Sequence, residues 1–146
     1  TREPDESIRR AGGGQVANLM FRIEPGSPAH EVTASRKIES DTYLSTMMPH
    51  MHVRGKSAKV IVKYPDGREE VALSVPNYDF EWQLNYQLEE PMFLPAGSEL
   101  QTVLTYDNST NNRHNPDPTA TVGWGDQTWE EMMLTFYGTV DGPASE

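Results

Sequence analysis

The chain has 146 residues, the size of one domain with its own core, and it carries a formal net charge of −10. This charge argues against nucleic acid or an anionic membrane surface as a partner, because both attract clusters of Lys and Arg. The absence of cysteine excludes disulfides, zinc–thiolate sites and thiol catalysis, and no stretch approaches the roughly 20 apolar residues of a membrane span.

The first predicted elements lie at the N-terminal end of the chain. Residues 1–14 are charged and end in "AGGG", which indicates a linker or a disordered N-terminus. The following run "QVANLMFRIEP" alternates with a period of two, and its predicted inward face consists of Ala17, Leu19, Phe21 and Ile23. We expect one domain over residues 15–141, followed by a short tail over residues 142–146.

The rest of the chain shows short strand patterns separated by turn signals. In "SAKVIVKYPDGREEVALSV" the pair Asp66-Gly67 predicts a hairpin turn. Further strands are predicted at 30–38, 41–48, 81–91, 98–107 and 129–140, whereas residues 107–128 read as one long loop. The predicted fold is all-β, an antiparallel jelly-roll-like β-sandwich of about eight or nine strands.

The stretch "MMPHMHVRGK" places two of the four histidines of the chain, His50 and His52, in an H-x-H pattern. Side chains at i and i+2 of a strand point to the same face and lie about 6.6 Å apart along the chain, so both imidazoles could bind one metal ion. Pro49 disfavours a helix at this position. The alternative is a pair of solvated histidines at the end of a strand.

The chemistry of the remaining ligands decides which metal such a site would select. Additional ligands could come from His30, His114, the carboxylates or the seven methionines. Imidazole with thioether indicates copper, whereas imidazole with carboxylate indicates zinc or iron. An ordinary role for each methionine is to fill the core.

Several motifs together resemble a known family. They are "PHMHVRGK", "YPDG", "VPNYDFEWQ", "EEPMFLPAGSEL", "YDNSTNN", "NPDP" and "WGDQTWEEMM", and they span roughly residues 29–137. In this order they resemble the C-terminal, methionine-copper domain of the copper type II ascorbate-dependent monooxygenases. That family includes peptidylglycine α-hydroxylating monooxygenase and dopamine β-monooxygenase, and the similarity is greatest to bacterial homologues.

The resemblance implies a jelly-roll-like sandwich that holds one copper ion, Cu(I) or Cu(II), at which dioxygen is activated. The implied ligands are His50, His52 and Met132, with His30, Met133 and His114 as additional candidates; no catalytic residue is assigned. Because neighbouring residues of a strand face opposite sides, Met132 and Met133 cannot both reach the ion. The implied reaction is hydroxylation of a C–H bond in an unknown substrate, with ascorbate or another reductant, in an extracytoplasmic compartment.

The sequence also departs from the family pattern. The family uses a second copper domain with an adjacent histidine pair, and this chain contains no such pair. The expected partner is therefore an electron-donor protein or a domain upstream of this one. The positions where the peptide-amidating enzyme binds its substrate carboxylate are occupied here by Met48, Leu134 and Phe136, so glycine-extended peptides are not the expected substrate.

Two other functions remain open at this point. The domain could handle copper, or serve as an accessory module, without catalysing a reaction. It could also be an interaction domain whose histidines are incidental, with Trp82, Trp124 and Trp129 as contact residues. Whether the protein is an enzyme is therefore undecided by the sequence.

Overall fold

The fold is known from a computed structural model, which describes residues 11–142. Eight strands and one short 3-10 helix, Phe80–Trp82, make up its regular structure. None of the helices in the described range is long and apolar enough to cross a membrane. The strands are β1 Ala11–Ala17, β2 His30–Lys37, β3 Thr42–His50, β4 Gly55–Lys63, β5 Glu69–Val75, β6 Tyr86–Leu94, β7 Glu99–Tyr106 and β8 Leu134–Val140.

The strands form two four-stranded antiparallel sheets that face each other. One sheet has the order β1-β8-β3-β6 and the other has the order β2-β7-β4-β5. Each sheet thus alternates strands from the two halves of the chain, which is the arrangement of an eight-stranded jelly roll. The predicted β-sandwich is confirmed.

The predicted hairpin is also present, between β4 and β5. Gly67 has a φ of 93°, a left-handed conformation that glycine adopts without a steric penalty. Val60 lies opposite Leu73, and a register shift after Val60 changes the pairing towards the turn. The pair Asp66-Gly67 therefore located the hairpin correctly, whereas nothing in the sequence indicated the β-bulge after Val60.

The core lies between the sheets in two clusters. One contains Leu44, Met47 and Leu100, and the other contains Ile23, Leu104 and the fully buried Met133, among others. A hydrogen bond of 2.7 Å joins the hydroxyl oxygens of Thr102 on β7 and Thr135 on β8. The two buried hydroxyl groups satisfy each other, so neither is left without a partner in the apolar interior.

The N-terminal prediction needs correction in two respects. Residues 11–14 are not a linker but the first half of β1, which pairs with β8; residues 1–10 lie outside the described part. The predicted inward face is wrong at Ala17 and Leu19, which are exposed, and correct at Phe21 and Ile23. The alternation breaks because β1 ends at Ala17 and the side chain of Asn18 then accepts a hydrogen bond from the Met20 amide, which forms a turn.

The last strand is shorter than predicted, because β8 begins at Leu134 rather than near residue 129. The preceding residues leave the sheet and bind the long loop instead. The amide of Glu131 donates to the carbonyl oxygen of Gly123, and its carbonyl oxygen accepts from the amide of Gly125. This departure brings residues 129–133 beside the end of β3, where the two histidines lie.

Candidate metal centre

The H-x-H pair lies where β3 leaves its sheet. His50 is the last residue of β3 and is half-buried, whereas His52 is buried in the turn that leads into β4. Their ring centroids are 5.3 Å apart and the rings stand edge-on, with an interplanar angle of 86°. A metal–nitrogen bond is about 2.0–2.1 Å long, so two imidazoles that bind one ion must lie close to each other, as these rings do. This separation fits two imidazoles on one ion.

An oxygen atom fixes the orientation of each imidazole. Nδ1 of His50 lies 2.6 Å from Oε1 of Gln83, and Nδ1 of His52 lies 3.1 Å from the carbonyl oxygen of Glu130. The amide of Gln83 is oriented in turn, because its Nε2 donates to the carbonyl oxygen of Phe80. Its Oε1 can therefore only accept from His50.

These contacts determine which nitrogen of each ring is free. A carbonyl or amide oxygen accepts a hydrogen bond only from a protonated nitrogen, so both neutral rings carry their proton on Nδ1. The lone pair of each Nε2 is then left to bind a metal. Burial lowers the pKa of His50 below its usual value, with a further lowering from His52, although the hydrogen bond to Gln83 opposes both. The neutral, metal-binding form of His50 is thereby favoured.

The two neighbouring methionines have different environments. Met133 is completely buried and packs in the core cluster that contains Ile23 and Leu104. Met132 is half-buried, and its carbonyl oxygen accepts a hydrogen bond of 2.6 Å from the hydroxyl group of Tyr106. Its thioether is the one of this pair that does not belong to the core.

A buried carboxylate ties the histidine turn to the methionine segment. Glu131 has no exposed surface, and its two oxygens accept hydrogen bonds from the backbone amides of His52, at 2.7 Å, and Arg54, at 3.0 Å. Burial raises the pKa of Glu131 to about 7, although the two amides and the charge of Arg54 lower it. Glu131 thus fixes the backbone on both sides of residue 53 and holds Met132 close to this turn.

The buried guanidinium of Arg54 connects the same turn to the long loop. Its Nε donates to Oδ1 of Asn108 and its Nη1 donates to the carbonyl oxygen of Trp129. Asn108 is itself buried and donates to the carbonyl oxygens of Glu24 and Ala120. The loop is therefore ordered by polar contacts that converge on the residues following the H-x-H pair.

The two other histidines lie on different elements. His30 begins β2 and pairs with Tyr106 in the second sheet, and His114 is exposed in the long loop. Within residues 11–142, no three His, Cys, Asp or Glu side chains are grouped as metal ligands. A complete site at His50 and His52 would therefore take its third protein ligand from a group such as the thioether of Met132.

The sheet face beside His50 is apolar. The pairing of β3 with β8 places His50 opposite Leu134 and Met48 opposite Phe136. Directly opposed residues of antiparallel strands point to the same side, so these four side chains share one face. Phe136 is 41% exposed, and none of Met48, Leu134 and Phe136 carries a carboxylate-binding group.

Sequence reasoning found the two histidines but not the groups that orient them. Gln83 and Glu130 lie on two segments far from the histidines in the sequence, and only the folded chain brings them to the imidazoles. No periodicity or spacing in the sequence marks Gln83 or the carbonyl oxygen of Glu130. Glu131 was visible only as the acidic neighbour of Met132, without its role in holding the turn.

Comparisons with known proteins identify no family for this chain. No protein-family model and no curated protein matches the chain. Among solved structures, a structure of infectious bursal disease virus, Gt strain, is similar over 94% of this chain, with 13% sequence identity and a TM-score of 0.40. The chain spans 32% of the length of that viral chain. The class that the fold and the site define is a jelly-roll domain with a preorganised pair of imidazoles.

Proposed function

We propose that this domain binds one copper ion through His50, His52 and Met132 and acts as the oxygen-activating half of a monooxygenase that resembles the copper type II ascorbate-dependent enzymes. The observation that carries the proposal is that both imidazoles are held at Nδ1 by oxygen atoms, which leaves both Nε2 atoms free. Metal-binding histidines characteristically have such partners, because the partner fixes the tautomer and the ring orientation.

The choice of copper rests on the donor set. Thioether and imidazole donors suit copper, and the chain has no thiolate that would favour zinc. When bound, copper would supply one-electron chemistry with dioxygen. The residues of the chain would hold the ion, fix both imidazoles in the tautomer with the proton on Nδ1, and present the apolar side chains of Met48, Leu134 and Phe136 to the substrate.

The proposed substrate is uncharged at the position that lies beside His50. Met48, Leu134 and Phe136 offer no group that could pair with a carboxylate, and burying an unpaired charge is costly. Because the chain has no adjacent histidine pair, the electron would come from a donor protein or from another domain. An extracytoplasmic location is part of the same proposal.

Anaerobic titration with Cu(I) in competition with a chromophoric chelator tests the metal site. The expected result is one tightly bound equivalent that is lost in His50→Ala and His52→Ala. Met132→Leu removes only the thioether and should weaken binding by about tenfold or more, as loss of a metal-site contact commonly does. Met133→Leu is the matched control and should bind copper as the unchanged protein does. Equal affinities in all four variants would refute the proposal.

Oxygen uptake separates a catalytic domain from a copper-handling module. The copper form should consume dioxygen with ascorbate faster than an equal concentration of free copper, and an uncharged C–H substrate should increase the rate. If the bound copper suppresses uptake below the rate of free copper, the domain handles copper without turnover.

An interaction domain is the second candidate, and two exposed indoles favour it. Trp82 is 72% exposed and Trp129 is 60% exposed, whereas Trp124 packs against the core. Tryptophan is enriched at the centres of protein interfaces. If the domain serves only in interactions, substitution of His50 or His52 should change its stability alone.

A further inference from the structure

A cavity of about 320 Å³ lies next to the candidate metal centre but contains neither histidine of the H-x-H pair. Three segments line it: residues 77–81, which we call the first wall; residues 107 and 111–114, which we call the opposite wall; and residues 53, 55 and 56, which we call the floor. We call this space the polar cavity. Its volume lies within the range of small-molecule sites.

Charged groups of both signs line the polar cavity. Asp79 and Glu81 lie on the first wall, Arg113 lies on the opposite wall, and Lys56 lies on the floor. A third carboxylate, that of Asp107, also lies on the opposite wall and accepts hydrogen bonds from the amide and the hydroxyl group of Ser109. Among residues 11–142, ion pairs join Lys63 to Glu69 and Arg68 to Asp66, all on the β4–β5 hairpin. The charges around the polar cavity are therefore not paired with one another in the described part of the chain.

A ligand with one positive and one negative group would complement this arrangement. Its ammonium group would face the carboxylates of residues 79 and 81, and its carboxylate would face Arg113, which can bind it through two N–H groups. The rings of Tyr78 and Phe80 also line the cavity and would contact the hydrocarbon part of the ligand. A ligand with a single charge would leave one set of groups without a partner.

The first wall of the polar cavity is connected to both histidines, to His52 by direct contact and to His50 through Gln83. The Tyr78 hydroxyl group donates to the carbonyl oxygen of Met51, at 2.7 Å, and accepts from its amide, at 3.1 Å, and Met51 separates the two histidines. The ring of Phe80 lies edge-on to that of His52, with 5.8 Å between centroids. The carbonyl oxygen of Phe80 orients Gln83, the partner of His50.

From these contacts we propose that the polar cavity binds a small zwitterion of the amino-acid class, and that its occupancy favours metal binding at His50 and His52. A ligand that bridges the two walls would restrict residues 77–83, which are held to the floor by a hydrogen bond from the Tyr78 amide to the Lys56 carbonyl oxygen. Within this segment Gln83 orients the imidazole of His50 and the ring of Phe80 packs against that of His52, so the ordering would be shared. The second half of this proposal rests on the proposed copper site; the first half does not.

The metal-free protein tests ligand binding on its own. A series of zwitterions with increasing charge separation, from glycine through β-alanine and 4-aminobutanoate to 6-aminohexanoate, is titrated and followed by NMR chemical shifts. One length should bind saturably in the millimolar range, with shifts at residues 77–81 and 111–114. Butylamine and butanoate, each with a single charge, should bind about tenfold more weakly.

Exposed positions supply variants that are expected to keep the fold. Glu81→Gln and Arg113→Gln should each weaken the best zwitterion by about tenfold. Glu89→Gln, an exposed residue of β6 that does not line the cavity, is the matched control and should leave binding unchanged. Absence of saturable binding by every member of the series, or equal binding by the singly charged compounds, would overturn the site.

The coupling is then measured as the affinity for Cu(I) with and without the best zwitterion. Affinity should rise by about fivefold or more, the lower end of measured couplings between sites. Tyr78→Phe should retain the zwitterion and lose the increase, because it removes the contact with Met51. An unchanged affinity for copper in the presence of saturating zwitterion would refute the coupling. Failure of copper to bind would refute the proposed function and leave the cavity result standing.

Discussion

Replacing Glu131 by alanine should strongly destabilise the domain, although the residue lies in an irregular segment. The change leaves the backbone amides of His52 and Arg54 without an acceptor in a place with no access to water. Each buried group that loses its partner costs about 1–3 kcal/mol, so we expect a loss of about 4 kcal/mol in the free energy of unfolding. Glu131→Gln keeps one acceptor oxygen and should lose about 2 kcal/mol.

Urea denaturation of the metal-free variants, followed by fluorescence and by circular dichroism, measures these differences. Glu90→Ala is the control, because this exposed residue of β6 should change stability by no more than about 0.5 kcal/mol. A typical domain has a total stability of about 5–15 kcal/mol, so Glu131→Ala should still fold. If it lost less than about 1 kcal/mol, the view that this carboxylate holds the histidine turn would be wrong.

Three other predictions concern the surroundings of the candidate metal centre. Gln83→Leu removes the acceptor of His50 and should lower the affinity for Cu(I) by about 10–100-fold, measured by chelator competition, with little effect on unfolding. Gly55→Ala places a methyl group 2.6 Å from the ring of Tyr78 and should cost about 1–3 kcal/mol in urea denaturation, unlike an alanine at the open Gly142. Burial raises the pKa of Tyr78 to about 12 and that of Tyr106 well above 10, so in a titration followed by phenolate absorbance these two should ionise last. Because unfolded tyrosines release their protons near pH 10, the stability of the domain should fall as the pH rises above that value.

The sequence predicted the sandwich because most strands have one face in the core. Alternation located β7, for example, in which Leu100, Thr102, Leu104 and Tyr106 are all buried. Hydrophobic alternation failed to predict the strand where the residues have no side chains to alternate. The glycines of β1 carry no side chains that could alternate, so residues 11–14 gave no strand signal, although they pair with β8.

The candidate site divides in the same way. The spacing of two residues pairs His50 with His52 in the sequence, although β3 ends at His50 and His52 lies in the turn that follows. The groups that fix them come from residues 83, 130 and 131, and their positions depend on how the loops cross the end of the sandwich. The distinction between Met132 and Met133 could be predicted only in part. Strand alternation predicted that their side chains point in opposite directions, and the structure shows that Met133 is the one that packs in the core.

The buried charges near this site are difficult to explain by stability alone. Arg54 is 1% exposed and Glu131 has no exposed surface, and well-packed apolar side chains at such positions are often at least as stabilising as buried ions. Apolar side chains, however, could not accept from the amides of residues 52 and 54 or donate to the carbonyl oxygen of Trp129. What Arg54 and Glu131 add is a fixed geometry for two backbone segments that are 77 residues apart in the chain. Such a geometry would serve the proposed copper centre, because its proposed ligands His50, His52 and Met132 come from both segments.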